Sequence, residues 1–356
     1  MSTFKMDRVA IVMLTALGDA VHVLPVITAL KRHRPDCHIT WVLQPGPANL
    51  VRGHPDVDDI VLFHKSKGLR AFREVRDEMA RREIDIVLAL QVYFKAGVIT
   101  ALIDAPVKLG FDRVRARDLN WLFTTHRIPP HEPQHVQEQY LEFLAYLGVP
   151  HEPVVWNLGP WPHEREAQRE FFATLDGPVA AMVIGTSKPE KDWIAERWAQ
   201  VSDALRGRFG LTPILVGGDT PREQETVRII RSVAEHPPYE AIGGSLRRFV
   251  GILEGSALVI SLDTGPLHMS VALDRPVISL MGYNNPKRVG PFRKFHDLIV
   301  DAYGDPGEVY PVTYAHRHDR MRRIQVDDVL RKVQVWEERY RGSDRVTAGG
   351  SRHADG

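Results

Sequence analysis

The chain has 356 residues, too many for one typical core and about right for two domains of ordinary size. Its 46 basic and 45 acidic residues nearly cancel, a balance that gives no sign of a nucleic-acid partner. The single cysteine, Cys37, excludes an internal disulfide framework and, with no Cys-His signature around it, reads as a small packed apolar group.

Met1 to Asp7 is polar and the apolar run after it is too short for a signal peptide. No stretch reaches the length needed to span a bilayer. The expected setting is the cytoplasm.

In chain order, "RVAIVML" predicts a first strand and Asp19 to Arg34 a helix that stops before Pro35. "HITWVL" (38–43) alternates as a strand, "DIVLF" (59–63) is another, and Leu69 to Arg82 is a charged amphipathic helix. "IDIVLAL" (84–90) reads as a buried strand, "APVKLGF" (105–111) as a further one, and Gln134 to Leu147 as a helix closed by Gly148. This alternation implies parallel strands joined by right-handed crossovers. Residues 151–163, with three prolines and two tryptophans, predict a linker. The alternation then restarts with strands at 178–185, 212–218, 257–262 and 276–282. Helices are expected at Glu196–Arg208, Arg222–Glu235, Leu246–Glu254, Pro266–Leu273 and Val326–Arg341, followed by a disordered tail at 342–356. The fold class is therefore α/β, with two Rossmann-like domains expected to face each other across a cleft.

The stretch "LTALGDAVHVLP" (14–25) stands where a nucleotide-binding domain would carry a glycine-rich phosphate turn. It has one glycine, Gly18, beside an acid, Asp19, and a carboxylate has the wrong charge for a phosphate cradle. Gly18 would give the chain room to turn and Asp19 would aim a carboxylate at a ligand, although capping the helix is the simpler role for that acid.

Three strand-to-helix turns in the second half carry the opposite chemistry. In "SLDTGPLHMSVAL" (261–273), Pro266 suits a first helical turn and Thr264 or Asp263 can cap it. The free N–H groups there favour an anion, Gly265 permits close approach, and His268 lies one turn in. An ordinary capped helix would look the same. "GTSKPEKDW" (185–193) offers the Thr186 and Ser187 hydroxyls with Lys188 and Lys191, a set suited to two phosphates or to a solvated turn. "VGGDTPREQE" (216–225) adds Glu223, whose carboxylate would accept from ribose hydroxyls or simply favour the helix dipole. Together the three describe a nucleoside-diphosphate site.

With these segments in this order, the chain resembles glycosyltransferase family 9, the ADP-heptose:lipopolysaccharide heptosyltransferase family, over roughly residues 8–340. The resemblance rests on "LGDAVHVLPVITALKRHRPDCHITWV", "GTSKPEKDW", "DTGPLHMSVALDRPVISLMG" and "NPKRVGPF". It implies a GT-B fold with an acceptor domain at 1–155, a nucleotide-sugar domain at 165–322, and a helix at 323–341 packing back toward the first domain. It also implies an inverting transfer of heptose from ADP-heptose to a hydroxyl of a glycan or glycolipid such as the lipopolysaccharide inner core. Asp19 matches the general base, and an ordinary aspartate, near 3.9, is ionised at neutral pH. Thr186, Ser187, Lys191, Thr264 and Gly265 match phosphate contacts, with His268 close by and Lys191 stabilising the leaving group. Asp263 matches a position near the donor sugar and Glu223 a ribose contact. On the acceptor side the resemblance points to Gly18, Lys65, Lys95 and Arg113, within the basic clusters 65–73 and 113–117. Solvated faces balanced by Glu74, Asp77 and Glu78 would account for the first cluster equally well.

No cofactor and no metal is expected; Asp56-Val57-Asp58 reads as turn chemistry, and "HRH" (316–318) lacks further ligands at usable spacing. Family members often carry Phe-Gly-Pro-Thr where this chain has "MGYNNP", so Tyr283 and Asn284 stand near the donor, and 301–321 lacks the cysteines common there. These departures bear on the donor sugar and base. The implied location is the cytoplasm, peripheral on the cytoplasmic face of the inner membrane. The competing readings are another sugar nucleotide or a protein acceptor, a silent GT-B scaffold, and a dinucleotide oxidoreductase. The last is disfavoured because Gly-x-Gly-x-x-Gly is missing and Gln44, not an acid, follows the second strand.

Overall fold

Val9 to Val12 are all fully buried, and a strand apolar on both faces needs cover on both faces. A computed structural model describes residues 4–342 and meets that need with parallel α/β layers. The chain divides into two units, Met1–Gly159 and Pro160 onward, and the division falls inside the 151–163 segment.

The first unit runs β1 (Arg8–Val12), α1 (Leu17–His33), β2 (His38–Leu43), α2 (Pro45–Val51), β3 (Asp59–Leu62), α3 (Leu69–Met79), β4 (Ile86–Ala89), α4 (Phe94–Leu102), β5 (Val107–Gly110), β6 (His126–Arg127) and α5 (Val136–Tyr146). Its sheet has the order β3-β2-β1-β4-β5-β6, and each pairing is parallel. Val12 lies opposite both Val42 and Ala89, so the C-terminal ends of the central strands stand abreast. Ala10, Val12, Val42 and Val87 pack with Val75 and Met79 of α3 and Ile99 of α4 in one core. The expected strands and helices are present, and α2, α4 and β6 come in addition.

The proline-rich segment is not a loose tether. Arg32 donates to the carbonyls of Glu152 and Pro153 at 3.1 and 3.0 Å, and His54 binds the carbonyl of Trp156 at 2.9 Å. Asp56 accepts from Thr28 at 3.1 Å and from Asn157 at 2.9 Å, while Asp58 pairs with Lys31 at 2.7 Å. Asp56-Val57-Asp58 forms a turn, and its two acids also tie that turn to neighbouring segments.

The second unit runs α6 (Arg165–Ala173), β7 (Val179–Val183), α7 (Ala195–Phe209), β8 (Thr212–Gly217), α8 (Pro221–Val233), β9 (Tyr239–Ile242), α9 (Leu246–Gly255), β10 (Leu258–Leu262), α10 (Gly265–Ala272), β11 (Val277–Met281), α11 (Pro286–Val289), β12 (Ile299–Asp301) and α12 (Val326–Arg339). Its sheet, β12-β11-β10-β7-β8-β9, is again parallel throughout. Ser261 lies opposite Val183 and Ser279, which brings the ends of β7, β10 and β11 together.

Within the second unit, α12 packs on α7, β11 and β12. Val329, Val333 and Trp336 form its buried stripe, and the Trp336 indole donates to the Ala257 carbonyl at 3.1 Å. The tail beyond Gly342 lies outside the described residues. Among the described residues, no helix is long and apolar enough to cross a membrane.

Candidate active site

In the first unit, β1 ends at Val12 and α1 begins at Leu17, so Asp19 occupies the first helical turn. Its Oδ2 accepts from the Ala16 N–H at 2.8 Å, as an acid in a first turn should. Its Oδ1 accepts from the Tyr140 hydroxyl of α5 at 3.2 Å. The half-buried carboxylate is therefore held from both sides, by its own turn and by a residue 121 positions away. Gly18 lies inside the helix, not in a turn before it, and is absent from the glycines with positive φ. Room to turn is not what Gly18 supplies.

Gln91, just past β4, fixes the loop that leads to Asp19. Its Oε1 accepts from Leu14 N–H at 3.0 Å, and its Nε2 donates to the Thr15 carbonyl and hydroxyl at 2.9 and 3.2 Å. Further along α1, the Gln137 amide of α5 donates to the His22 carbonyl at 2.8 Å. Gln91, Gln137 and Tyr140 carry no motif, and the sequence reading missed all three.

The other candidates of this unit follow the C-terminal ends of β3, β4 and β5, with Lys95 in the first turn of α4. Lys65 and Lys95 are exposed, whereas Lys67 and Arg70 share Glu74 at 2.8 and 3.0 Å. The balanced-face reading therefore holds for that part of the first cluster. Arg113 lies 4.4 Å from the centre of the Trp121 ring. Arg115 is buried, bonded to Asp112, to Glu142 at 2.7 and 2.8 Å and to the Pro129 carbonyl at 2.8 Å. It is a structural cation and leaves the second basic cluster.

In the second unit, the turn after β7 folds around Thr186. Its hydroxyl contacts Asp192 at 2.6 Å, and Arg222 pairs with Asp192 at 2.7 Å and donates to the Thr186 carbonyl. Burial pushes the Asp192 carboxyl up, against the pull of the Thr186 hydroxyl and Arg222. Ser187 beside it is exposed. Asp192 and Arg222 are further site supports that residue type alone did not reveal.

Lys191 closes that turn and reaches the end of β10, with its ammonium 2.8 Å from Asp263 Oδ2 and 3.2 Å from the Asp263 carbonyl. Both side chains are largely shielded, at 14% and 6% exposure, where an ion pair is screened little by salt. Thr264 takes the N-cap position of α10 without a side-chain capping bond, and Asp263 is engaged by Lys191 and Asn284. The expected Thr264 cap does not form, and the Asp263 carboxylate goes to the charge pair instead. Gly265 and His268 follow in α10, the latter buried.

Glu223 is buried, and its carboxylate accepts from Gly218 N–H at 2.7 Å, Thr220 N–H at 3.1 Å and the Thr220 hydroxyl at 2.6 Å. This is a complete capping box for α8.

The "MGYNNP" and "HRH" segments meet at the same place. Tyr283 and His316 stack with centroids 4.8 Å apart and planes 14° from parallel, and His318 meets the Tyr283 ring edge-on at 5.4 Å. Lys188 and Lys191 lie 5.4 and 5.9 Å from the Tyr283 ring centre. Gly282 allows this, because a Cβ there would sit 2.8 Å from the Met321 nitrogen of the returning chain. Burial, with Lys188 and Lys191 nearby, holds the His316 imidazole below its ordinary range. Arg317 between the histidines pairs with Glu308 at 2.6 Å. Among the described residues, no three His, Cys, Asp or Glu side chains are grouped to hold a metal ion.

Each unit thus gathers its chemistry at the C-terminal ends of parallel strands. The first presents an oriented carboxylate, and the second a lysine, hydroxyls and an uncapped helix N-terminus suited to phosphate.

Known proteins show the same arrangement of sequence and fold. Residues 72–306 match the family described as glycosyltransferase family 9 (heptosyltransferase). The lipopolysaccharide core heptosyltransferase OpsX of Haemophilus influenzae is 27% identical over 336 residues, 91% of this chain and 95% of that protein. The crystal structure of a family 9 glycosyl transferase from Veillonella parvula superposes with a TM-score of 0.78 at 22% identity, covering 93% of this chain and 97% of its own. E. coli heptosyltransferase WaaC, solved with ADP, gives 0.67 at 25% identity over 82% of this chain and 92% of its own. The two Rossmann-like units are those of a GT-B enzyme. The chain belongs to glycosyltransferase family 9, the heptosyltransferases.

Proposed function

We propose that this enzyme moves a heptose from ADP-heptose to a hydroxyl of the lipopolysaccharide inner core, with inversion and with Asp19 as general base. The observation that carries the reading is the Lys191–Asp263 pair at the uncapped N-terminus of α10. It sets an ammonium, helix N–H groups and a carboxylate side by side, the donors a departing diphosphate needs and an acceptor for sugar hydroxyls. OpsX and WaaC, named for heptosyl transfer, support the choice of sugar.

In this reading the acceptor oxygen attacks the anomeric carbon and its proton passes to Asp19. The bond from that carbon to the diphosphate oxygen breaks, and its electron pair leaves on ADP. Lys191 and the first N–H groups of α10 take up the developing charge, with Thr186 and Ser187 beside them. These groups do the work that a metal would otherwise do, so turnover is expected to survive chelators. Asp263 holds Lys191 and faces the sugar, while Glu223 keeps the β8–α8 turn in shape beside the ribose. Lys65, Lys95 and Arg113 meet anionic groups of the acceptor. The site of action is the cytoplasmic face of the inner membrane.

Another sugar nucleotide is the second reading, favoured by Asn284 beside Asp263 and Tyr283 beside Lys191, where the family often has other residues. A thermal-shift screen across ADP, UDP and GDP, followed by ADP-heptose, separates them, because ligand binding stabilises the folded state by mass action. A response to ADP above UDP and GDP is expected. A preferred response to UDP or GDP overturns the ADP-heptose assignment.

A further inference from the structure

The segments that follow β4 and β5 in the first unit, including the start of α4, expose more large apolar side chains than a solvated surface needs. Tyr93 is 49% exposed, Phe94 50%, Val114 86%, Leu119 58% and Leu122 57%. Scattered singly, such residues would mean little; joined in one patch, they mark an interaction surface. Here the segments carrying Tyr93, Phe94, Leu119 and Leu122 are joined. Asn120 donates to the Tyr93 carbonyl at 2.9 Å, and the Arg117 N–H donates to the Val92 carbonyl at 2.9 Å. Phe94 meets Phe123 edge-on at 5.5 Å. Gly97 lets the second loop lie flat on α4, since a Cβ there would come within 2.3 Å of the Phe123 ring.

The charge around the patch has one dominant sign. Lys95, Arg113 and Arg117 are exposed, against Asp118 alone within 93–95 and 113–123. The acid Asp112 and the cation Arg115 of this stretch are buried on each other. Tyr93 adds an amphipathic ring of the kind that settles at a headgroup boundary. Apolar tips with a basic rim complement a surface that is anionic outside and hydrocarbon within.

We infer that the face formed by Tyr93, Phe94, Val114, Leu119 and Leu122, rimmed by Lys95, Arg113 and Arg117, docks the enzyme on a bilayer containing anionic phospholipid. This rests on the reading of the acceptor as a glycolipid. The face shares the sheet edge that carries Asp19, and Gln91, which fixes the Asp19 loop, directly precedes it in the chain. Docking there would leave the catalytic carboxylate beside the membrane surface from which the acceptor's sugars rise.

The test is co-sedimentation of the full chain with vesicles of phosphatidylethanolamine and phosphatidylglycerol, without acceptor or donor, against vesicles of phosphatidylcholine. The wild type is expected to sediment with the anionic vesicles, to be released by added salt, and to ignore phosphatidylcholine. Leu119→Asp combined with Leu122→Asp should weaken vesicle binding by about tenfold or more, with Val114→Asp as an independent second variant. Both should keep the wild-type Tm, the thermal response to ADP and transfer to a deacylated, water-soluble acceptor. The inference is overturned if the variants bind vesicles like the wild type or if the wild type stays in solution. It is also overturned if the substitutions instead change the protein's oligomeric state in the absence of vesicles. Loss of transfer to the soluble acceptor by the wild type would count against the proposed function and leave vesicle binding to be judged separately.

Discussion

The Tyr140 hydroxyl donates to Oδ1 of Asp19 at 3.2 Å, across 121 positions of sequence. With the Ala16 N–H on the other oxygen, it fixes the plane of the carboxylate. An oriented base is worth more than a free one, because the proton must be met at the instant the new bond forms. Tyr140→Phe is therefore expected to lower kcat roughly tenfold, the scale of one hydrogen bond to a charged group. The ADP-induced thermal shift should not move. Steady-state kinetics beside thermal shift checks this, and a change confined to donor binding would contradict it.

Lys191 makes its ion pair where solvent is largely shut out, so its loss should be felt in affinity. Lys191→Ala is expected to weaken ADP binding on the order of tenfold to a hundredfold, as for a truncated, desolvated charge. Calorimetric titration with ADP measures it, with the Tm of the free variant as a control for the stranded Asp263. Unchanged affinity would remove Lys191 from the site.

His316 is expected to tie the stability of the second unit to pH. Burial, Lys188, Lys191 and Arg288 all disfavour its charged form, and Asp263 alone opposes them. The unfolded chain protonates this histidine near its ordinary value of about 6.5, the folded chain lower. The unfolded state then binds more protons below about pH 6.5, so stability is complete above that value and falls as pH drops below it. His316→Gln should flatten this part of the Tm-against-pH curve. Parallel curves for the two proteins would contradict the assignment.

Arg115 illustrates a basic residue that charge counting misplaces. It is bound by Asp112 and Glu142 with little solvent access, and removing one partner of such a set strands the others. Arg115→Ala is expected to destabilise the protein by about 3 kcal/mol in urea unfolding. Lys95→Ala, on an exposed residue, should leave stability within about 0.5 kcal/mol. Equal losses would undo the distinction drawn between them.

The contrast shows what the sequence makes legible. Strands such as "HITWVL" and helices such as 246–255 announce themselves by runs and periods, and the structure places them where expected. Helix α4 did not, because "FKAGVITAL" is apolar almost all round and has no polar face to give a period of 3.6. Strand-to-helix turns were readable from Gly, Pro and hydroxyl residues, which is why Asp19, Thr186, Lys191 and Asp263 could be named. Their partners were not readable. Gln91 reaches Leu14 across 77 positions, and His316 lies on Tyr283 only because the chain returns over Gly282. Local spacing carries no trace of such contacts. Where a local rule and a charge compete, as at Asp263 between capping α10 and pairing with Lys191, the choice depends on neighbours that only the fold supplies.

The central claim is that Asp19 takes the acceptor's proton, and Asp19→Asn tests it most directly. The amide keeps the size of the side chain and can still accept from Ala16 or Tyr140, but it cannot serve as the base. Transfer from ADP-heptose, followed by release of ADP, is expected to fall by a factor on the order of a hundred to ten thousand in kcat. The thermal response to ADP should stay at its wild-type value. A variant that turns over at the wild-type rate would contradict the account.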